Sequence, residues 1–120
     1  MRADRIAAGL WRWTAAHPEW RPGAAPGSAG DWARDVGSVL WLGDDAAVLI
    51  DALVTDEAVW AWLDDRLGHA ERVLALTTIG FHRRSRDEIV RRYGASTSRA
   101  RTALPEGVEA HPLRGAGEVV

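Results

Sequence analysis

The residues best suited to chemistry fall between positions 51 and 85. Asp51 interrupts the apolar run AAVLIDAL, where an ionised carboxylate needs a partner. His82, Arg83 and Arg84 sit in a short loop, IGFHRR, between an apolar run and Ser85. An imidazole there can serve as a general base or a metal ligand. The two guanidiniums favour carboxylate or phosphate, and exposed N–H groups at a helix start favour the same anions. Asp51 is expected to pair with Arg83 or Arg84, because burying it alone costs on the order of several kcal/mol. Ser85 lacks the Gly-x-Ser-x-Gly elbow of a hydrolase nucleophile. Its setting, SRDE, reads as a capping box, with Ser85 as the N-cap and Glu88 reaching back. His17, His69 and His111 have no companions at ligand spacing.

The elements that must hold these residues follow from periodicity. Arg5 to Thr14 reads as a first strand with Trp11 and Trp13 on one face. Residues 17–30, HPEWRPGAAPGSAG, form a Pro/Gly-rich loop, and its length marks it as mobile or functional. Val36 to Leu42 and Ala46 to Leu53 are apolar runs around Gly43-Asp44-Asp45, a hairpin signal. The second run is nearly unbroken, as in a strand covered on both faces. Asp56 to Leu67 reads as a helix, capped by Thr55 or Asp56 and stopped by Gly68. Val59, Trp62, Leu63 and Leu67 share one of its faces. Glu71 to Thr78 is a buried strand. The helix after Ser85 carries Ile89 and Tyr93 on one face and ends at Gly94. Leu104 to Gly107 reads as a turn and Val108 to Leu113 as a strand. The seven tryptophans either line an apolar groove with the 17–30 loop or pack the interior. In the second case Trp11, Trp13 and Trp41 fill the core. Trp60 and Trp62 diverge on their helix, so one of them is expected at the surface.

Composition sets the class. The 120 residues are 47% apolar and 27% charged, a globular balance with material for one modest core. No apolar run approaches the ~20 residues of a transmembrane helix. The first residues show no export signal. With no cysteine, disulfides and Cys-ligated zinc are excluded, and a cytoplasmic location is expected. All 15 basic residues are arginine, a bias that runs along the whole chain as GC-rich coding produces. Residues 44–71 carry eight acids and one arginine, whereas residues 83–101 carry seven arginines and two acids. The basic segment is a candidate for anions or nucleic acid. The net charge of −2 and the lack of a nucleic-acid motif favour paired or solvated helix faces instead.

The order of these pieces resembles the metallo-β-lactamase-fold hydrolase superfamily. RIAAGLWRWTAAHPEW is similar to the opening strand and loop of many bacterial members. DVGSVLWLGDDAAVLIDAL resembles their second and third strands, with Asp51 near the end of the third. ERVLALTTIGFHRRSRDEI occupies the place of their His-x-His-x-Asp-His metal motif. VEAHPLRGAGEVV resembles the strand and turn that approach the next metal histidine. The resemblance spans nearly the whole chain and corresponds to the first half of a family domain. It implies an α/β fold, a partial αββα sandwich in the order β-β-β-α-β-α-β. Residues 1–120 then form a single half domain.

Laid on that motif, the loop lacks the ligands. With Ile79 at the first histidine, Phe81 stands at the second, Arg83 at the aspartate and Arg84 at the last histidine. One residue further on, Gly80 and His82 stand at the histidines, Arg84 at the aspartate and Ser85 at the last histidine. Either register puts a permanent cation where a carboxylate would hold zinc, and it would repel the ion. Gly115-Ala116-Gly117, where another ligand is sought, holds no histidine. The resemblance therefore implies a degenerate member without metal, cofactor or catalytic residue. Asp51, His82, Arg83 and Arg84 are the remnant of its site. The expected role is non-catalytic, either binding or structural. The chain is expected to be truncated, or to cover its open sheet by self-association or with a second half. Two alternatives stand beside this. One is a hydrolase relative acting on a small ester or phosphorylated metabolite at those four residues. The other is an anion- or nucleic-acid-binding module using Arg83 to Arg101. No membrane partner is expected.

Overall fold

A computed structural model describes residues 2–79 and 82–97. Its elements are β1 (Ala3–Ala7), β2 (Leu10–Ala16), β3 (Asp35–Leu42), β4 (Ala46–Ile50), α1 (Glu57–Leu67), β5 (Arg72–Leu76), α2 (Arg86–Tyr93) and β6 (Ser96–Thr97). The six strands make one sheet in chain order. Strands β1 to β4 are antiparallel neighbours, and β4, β5 and β6 run parallel. The fold is α/β, a mixed sheet with two helices. Among the described residues no helix is long and apolar enough to cross a membrane.

The first expected strand is in fact two. Arg5 to Thr14 folds back at Ala8-Gly9, so β1 and β2 form a hairpin. Gly9 has φ 71° and accepts a 2.7 Å hydrogen bond from Leu42 N–H. A Cβ there would strike the Leu42 carbonyl, so the turn requires glycine. Alternating apolar residues on either side hid this turn from the pattern. The element order therefore has four strands before α1, not three. The two-residue β6 was not expected. The turn at 104–107 and the strand at 108–113 lie outside the described residues.

Apolar burial joins the sheet to both helices. Trp13, Leu40 and Leu49 meet Val59, Leu63 and Leu67 of α1 and Ile89 of α2. Each such side chain contributes about 1.5–3 kcal/mol when removed from water. β4 is buried from Ala46 to Leu49, as its unbroken apolar run requires. Trp41, expected in the core, is 39% exposed. It follows Leu40 in the strand, so alternation turns it to the opposite face, where it pairs with Leu10 and Val48.

Both tryptophans of α1 are packed, against the expectation that one would be exposed. Trp60 is buried against Tyr93, with the Arg92 guanidinium 4.1 Å from its ring centre. Trp62 stands edge-on to Trp11 and Trp13, at 5.7 Å from each. The helix has two working faces, one toward the sheet and one toward α2. Arg66 lies 4.9 Å from the Trp11 ring centre and 4.4 Å from that of Trp62. Asp56 caps α1 by accepting from Val59 N–H at 3.0 Å. Gly94, at φ 63°, ends α2 in the left-handed conformation.

Two outcomes follow from these helix contacts. Arg66→Met should lower the unfolding free energy in urea by about 1 kcal/mol, since a methionine keeps the stem but not the cation over two rings. The second concerns Tyr93, whose hydroxyl donates to Asp64 Oδ1 at 2.6 Å. Burial, then this bond, hold its phenol above the ordinary value of 10.0. The folded state therefore keeps a proton that the unfolded state loses. That stability is present below about pH 10 and drains away as pH rises beyond it. Urea titrations across this range should show the decline, and Tyr93→Phe should flatten it.

Candidate functional site

After β4 the chain leaves the sheet, and its backbone groups need partners other than a neighbouring strand. Residues 51–54 obtain them from side chains. Asp51 N–H still donates to Leu76 O at 3.0 Å. Its carbonyl accepts from Arg84 Nη1 at 2.5 Å and from Ser38 Oγ at 3.4 Å. Leu53 N–H donates to Ser38 Oγ at 2.9 Å, and Leu53 O accepts from Trp13 Nε1 at 2.9 Å. Ser85 takes both polar groups of Val54, accepting from its N–H at 2.9 Å and donating to its carbonyl. Ser85 N–H donates to Ala52 O at 3.1 Å. The expected capping box is therefore absent: Ser85 makes no side-chain cap to α2. Its hydroxyl is already spent on Val54, a partner 31 residues away that local pattern does not reveal.

The Asp51 side chain gathers the loop after β5. Oδ1 accepts from Thr78 N–H at 2.8 Å, and Oδ2 from Thr78 Oγ1 at 2.5 Å. His82 Nδ1 lies 3.0 Å from the same Oδ2. The expected ion pair with Arg83 or Arg84 is not formed in that way. Arg83 is exposed and makes a forked bond to Asp87, one helical turn on. Arg84 reaches the Asp51 carbonyl, not the carboxylate, and bonds Gly37 O at 2.8 Å as well. Burial lowers the Arg84 pKa from its ordinary value, and the nearby Asp51 charge works in the other direction. Its Nε is buried with no hydrogen-bond partner among the described residues. Asp51 and Arg84 are the two described non-glycine residues with positive φ, at 49° and 43°. Strain of about 1–3 kcal/mol at such positions persists where surrounding contacts over-determine it, and it clusters at functional sites.

The 17–30 loop builds the other wall. His17 N–H donates to Arg34 O at 2.9 Å and closes the loop's base. Trp20 Nε1 bonds Trp32 O at 2.9 Å, and Asp31 accepts from Gly27 N–H at 2.7 Å. Between this wall and the Asp51 network lies a cleft of about 540 Å³. Ala29, Trp32, Ala33 and Val36 make it apolar, and His17, Glu19, His82 and Arg84 give it polar corners. His17 stands edge-on to Trp32 at 5.2 Å and accepts from Glu19 N–H through Nδ1 at 3.2 Å. His17 thus has a companion, His82, which sequence spacing hid because 65 positions separate them. The clue available in the sequence was the loop's length. His69 is exposed, and His111 lies outside the described residues.

The donors among the described residues do not gather as a metal site. Asp51 and Thr78 hold His82 Nδ1, and among the described residues no three His, Asp or Glu side chains gather to bind one. The basic segment turns inward on its own helix: Arg91 and Arg92 both pair with Glu88, and Arg83 with Asp87. Arg99 and Arg101 lie outside the described residues. No protein-family model matches the chain, and no curated protein is detectably similar to it.

Ser38 is 0% exposed and serves two backbone groups of the 51–54 segment. Ser38→Ala leaves Leu53 N–H without an acceptor in a place closed to water, and should cost about 1–3 kcal/mol in urea unfolding. Ser38→Ala should also broaden the amide signals of Asp51 and Thr78 in NMR spectra.

Proposed function

We propose that this chain is a metal-free, degenerate metallo-β-lactamase-like domain, corresponding to the first half of that fold, and that its cleft binds a small molecule. The observation that carries this reading is Arg84. Its guanidinium is inserted between the carbonyls of Gly37 and Asp51, beside the Asp51 carboxylate. A covalently attached cation thus stands where the resemblance expects a metal motif. The strand order supports the resemblance, with four antiparallel strands followed by parallel β5 and β6. So does the strand–loop–helix from β5 to α2, tied to Asp51 at the end of β4. The cleft has the size and the apolar lining with few polar corners that small-molecule sites share.

The sheet face opposite the helices is apolar across its centre. Val39 pairs with Ile50 there and Trp41 with Val48, and Trp41 is partly exposed. Val48 and its β5 neighbour Leu74 are already buried there, so only the part of that face around Trp41 favours a cover by a second half or by self-association. The nucleic-acid reading has less behind it, because the described arginines of α2 are paired with acids of α2.

Metal analysis and stability test the reading together. Chelator-treated protein should keep its melting temperature and take up no stoichiometric zinc at micromolar concentration. One zinc per chain that survives dialysis and is lost with His82→Ala would overturn it. Arg84→Met, which removes a charged donor from two part-buried carbonyls, should lower unfolding free energy by about 1–3 kcal/mol. Tryptophan emission and NMR shifts screened against a set of small uncharged fragments should report binding at Trp32 and His17. A set that moves neither would remove the binding half of the proposal.

A further inference from the structure

Arg84 brings a cation to the cleft without an anion to match it. Its Nη1 spends both protons on carbonyls, Gly37 O at 2.8 Å and Asp51 O at 2.5 Å. Its Nε is buried without a hydrogen bond, the one such side-chain atom among the described residues. Nη2 also makes no hydrogen bond among the described residues. Were Nη2 buried, it would be a second orphan of the same kind, so it is open. It belongs to a residue that lines the cleft. The Asp51 carboxylate, whose charge acts on Arg84, spends its oxygens on Thr78 and His82 and does not line the cleft. A part-buried guanidinium in this state gains from a ligand anion, because a charge-assisted bond is strong where water is sparse. The rest of the lining limits which anion. No second arginine stands beside Arg84, and Glu19 is the lining acid. A dianion such as a phosphate monoester would keep one charge unmatched there. A monocarboxylate matches the single cation, and Glu19 is exposed, where water screens its repulsion. Ala29, Trp32, Ala33 and Val36 complete the wall with apolar surface.

We infer that the cleft takes a small monocarboxylate with an aryl or alkyl tail, its carboxylate on Arg84 Nη2 and its tail against Trp32. The inference rests on the small-molecule-binding reading above and names the class of ligand. Trp32 leaves 39% of its surface open, and a flat tail can cover it. The cleft volume of about 540 Å³ accommodates a ligand of this size. The two carbonyls on Nη1 belong to β3 and to the segment after β4, so the guanidinium is fixed before a ligand arrives. A donor fixed in advance loses little side-chain freedom on binding. The left-handed backbone of Arg84, at φ 43°, is held by the same contacts, and strain of this kind gathers at ligand clamps.

The test compares 3-phenylpropionate with its neutral amide, 3-phenylpropanamide, on the whole chain. NMR titrations follow the Trp32 indole N–H and the Arg84 Nε–H. Both ligands should move the Trp32 signal, and the acid alone should move that of Arg84. The acid should bind about 10-fold more tightly than the amide, as one charge-assisted bond allows. Raising sodium chloride from about 50 to about 500 mM should weaken the acid and leave the amide unchanged. Glu19→Gln, an exposed substitution, should tighten the acid about threefold. Arg84→Lys, once its amide spectrum shows it folded, should weaken the acid about 10-fold by losing the fork while keeping the charge. Equal affinities for acid and amide in the native chain make the inference fall while the binding reading stands, whatever any variant does. An acid that binds tightly yet leaves the Arg84 signal unmoved overturns the placement. Tighter binding of 2-phenylethyl phosphate than of the acid overturns the ligand class. If neither acid, amide nor the fragment set binds, both proposals fall together.

Discussion

Four residues of irregular backbone govern this molecule. Where β4 ends, residues 51–54 must cross from the sheet to α1, and beyond the Asp51 N–H bond to Leu76 no strand satisfies them. Trp13 of β2, Ser38 of β3, and Arg84 and Ser85 before α2 each give a side chain to that crossing. An unpaired buried amide costs about as much as a typical point mutation removes from a small domain. The crossing depends on all four side chains, two donating and two accepting in these bonds, and they come from across the chain. This links sheet formation, docking of α2 and assembly of the site into one cooperative event.

The arginines take their place in the same scheme. In a chain without lysine, guanidiniums do three different jobs. Arg66 and Arg92 lie over aromatic rings, which their flat and weakly hydrated surface favours. Arg83, Arg91 and Arg92 neutralise acids on α2 and remain near solvent, where such pairs contribute little. Arg84 bridges two carbonyls far apart in sequence, Gly37 within β3 and Asp51 after β4. A lysine there would offer a single point of charge in place of a planar fork. The asymmetry of charge along the sequence thus resolves mostly into local pairing.

Much of the fold was legible because its signals are local. The Gly43 hairpin, the Asp56 cap and the Gly94 stop depend on residues within a few positions of one another, and each is found where the pattern put it; the unbroken run of β4 is also found, but the strand ends at Ile50, three residues short of the expected Leu53. The failures share one cause. The β1–β2 turn depends on Gly9 meeting Leu42, the Ser85 hydroxyl on Val54, and the cleft on His17 meeting the wall of His82. Each is a contact between positions more than 30 apart. Trp41 failed for a simpler reason: a strand's parity, set by its neighbours, decides which of two adjacent apolar residues is inside. Asp51 and His82 were legible as suspects from their apolar setting. What the sequence concealed was that they face each other.

The walls of the cleft are unequally constrained. The His82 and Arg84 side is fastened to the crossing at 51–54, so a change there is felt by the whole fold. The opposite side is a loop held largely by its own turns and by bonds such as Trp20 to Trp32. Mutation can therefore reshape what the loop admits while the facing groups stay put. If the cleft binds as proposed, its preference can drift across descendants of this chain on one bank only, with the other acting as an inherited anvil.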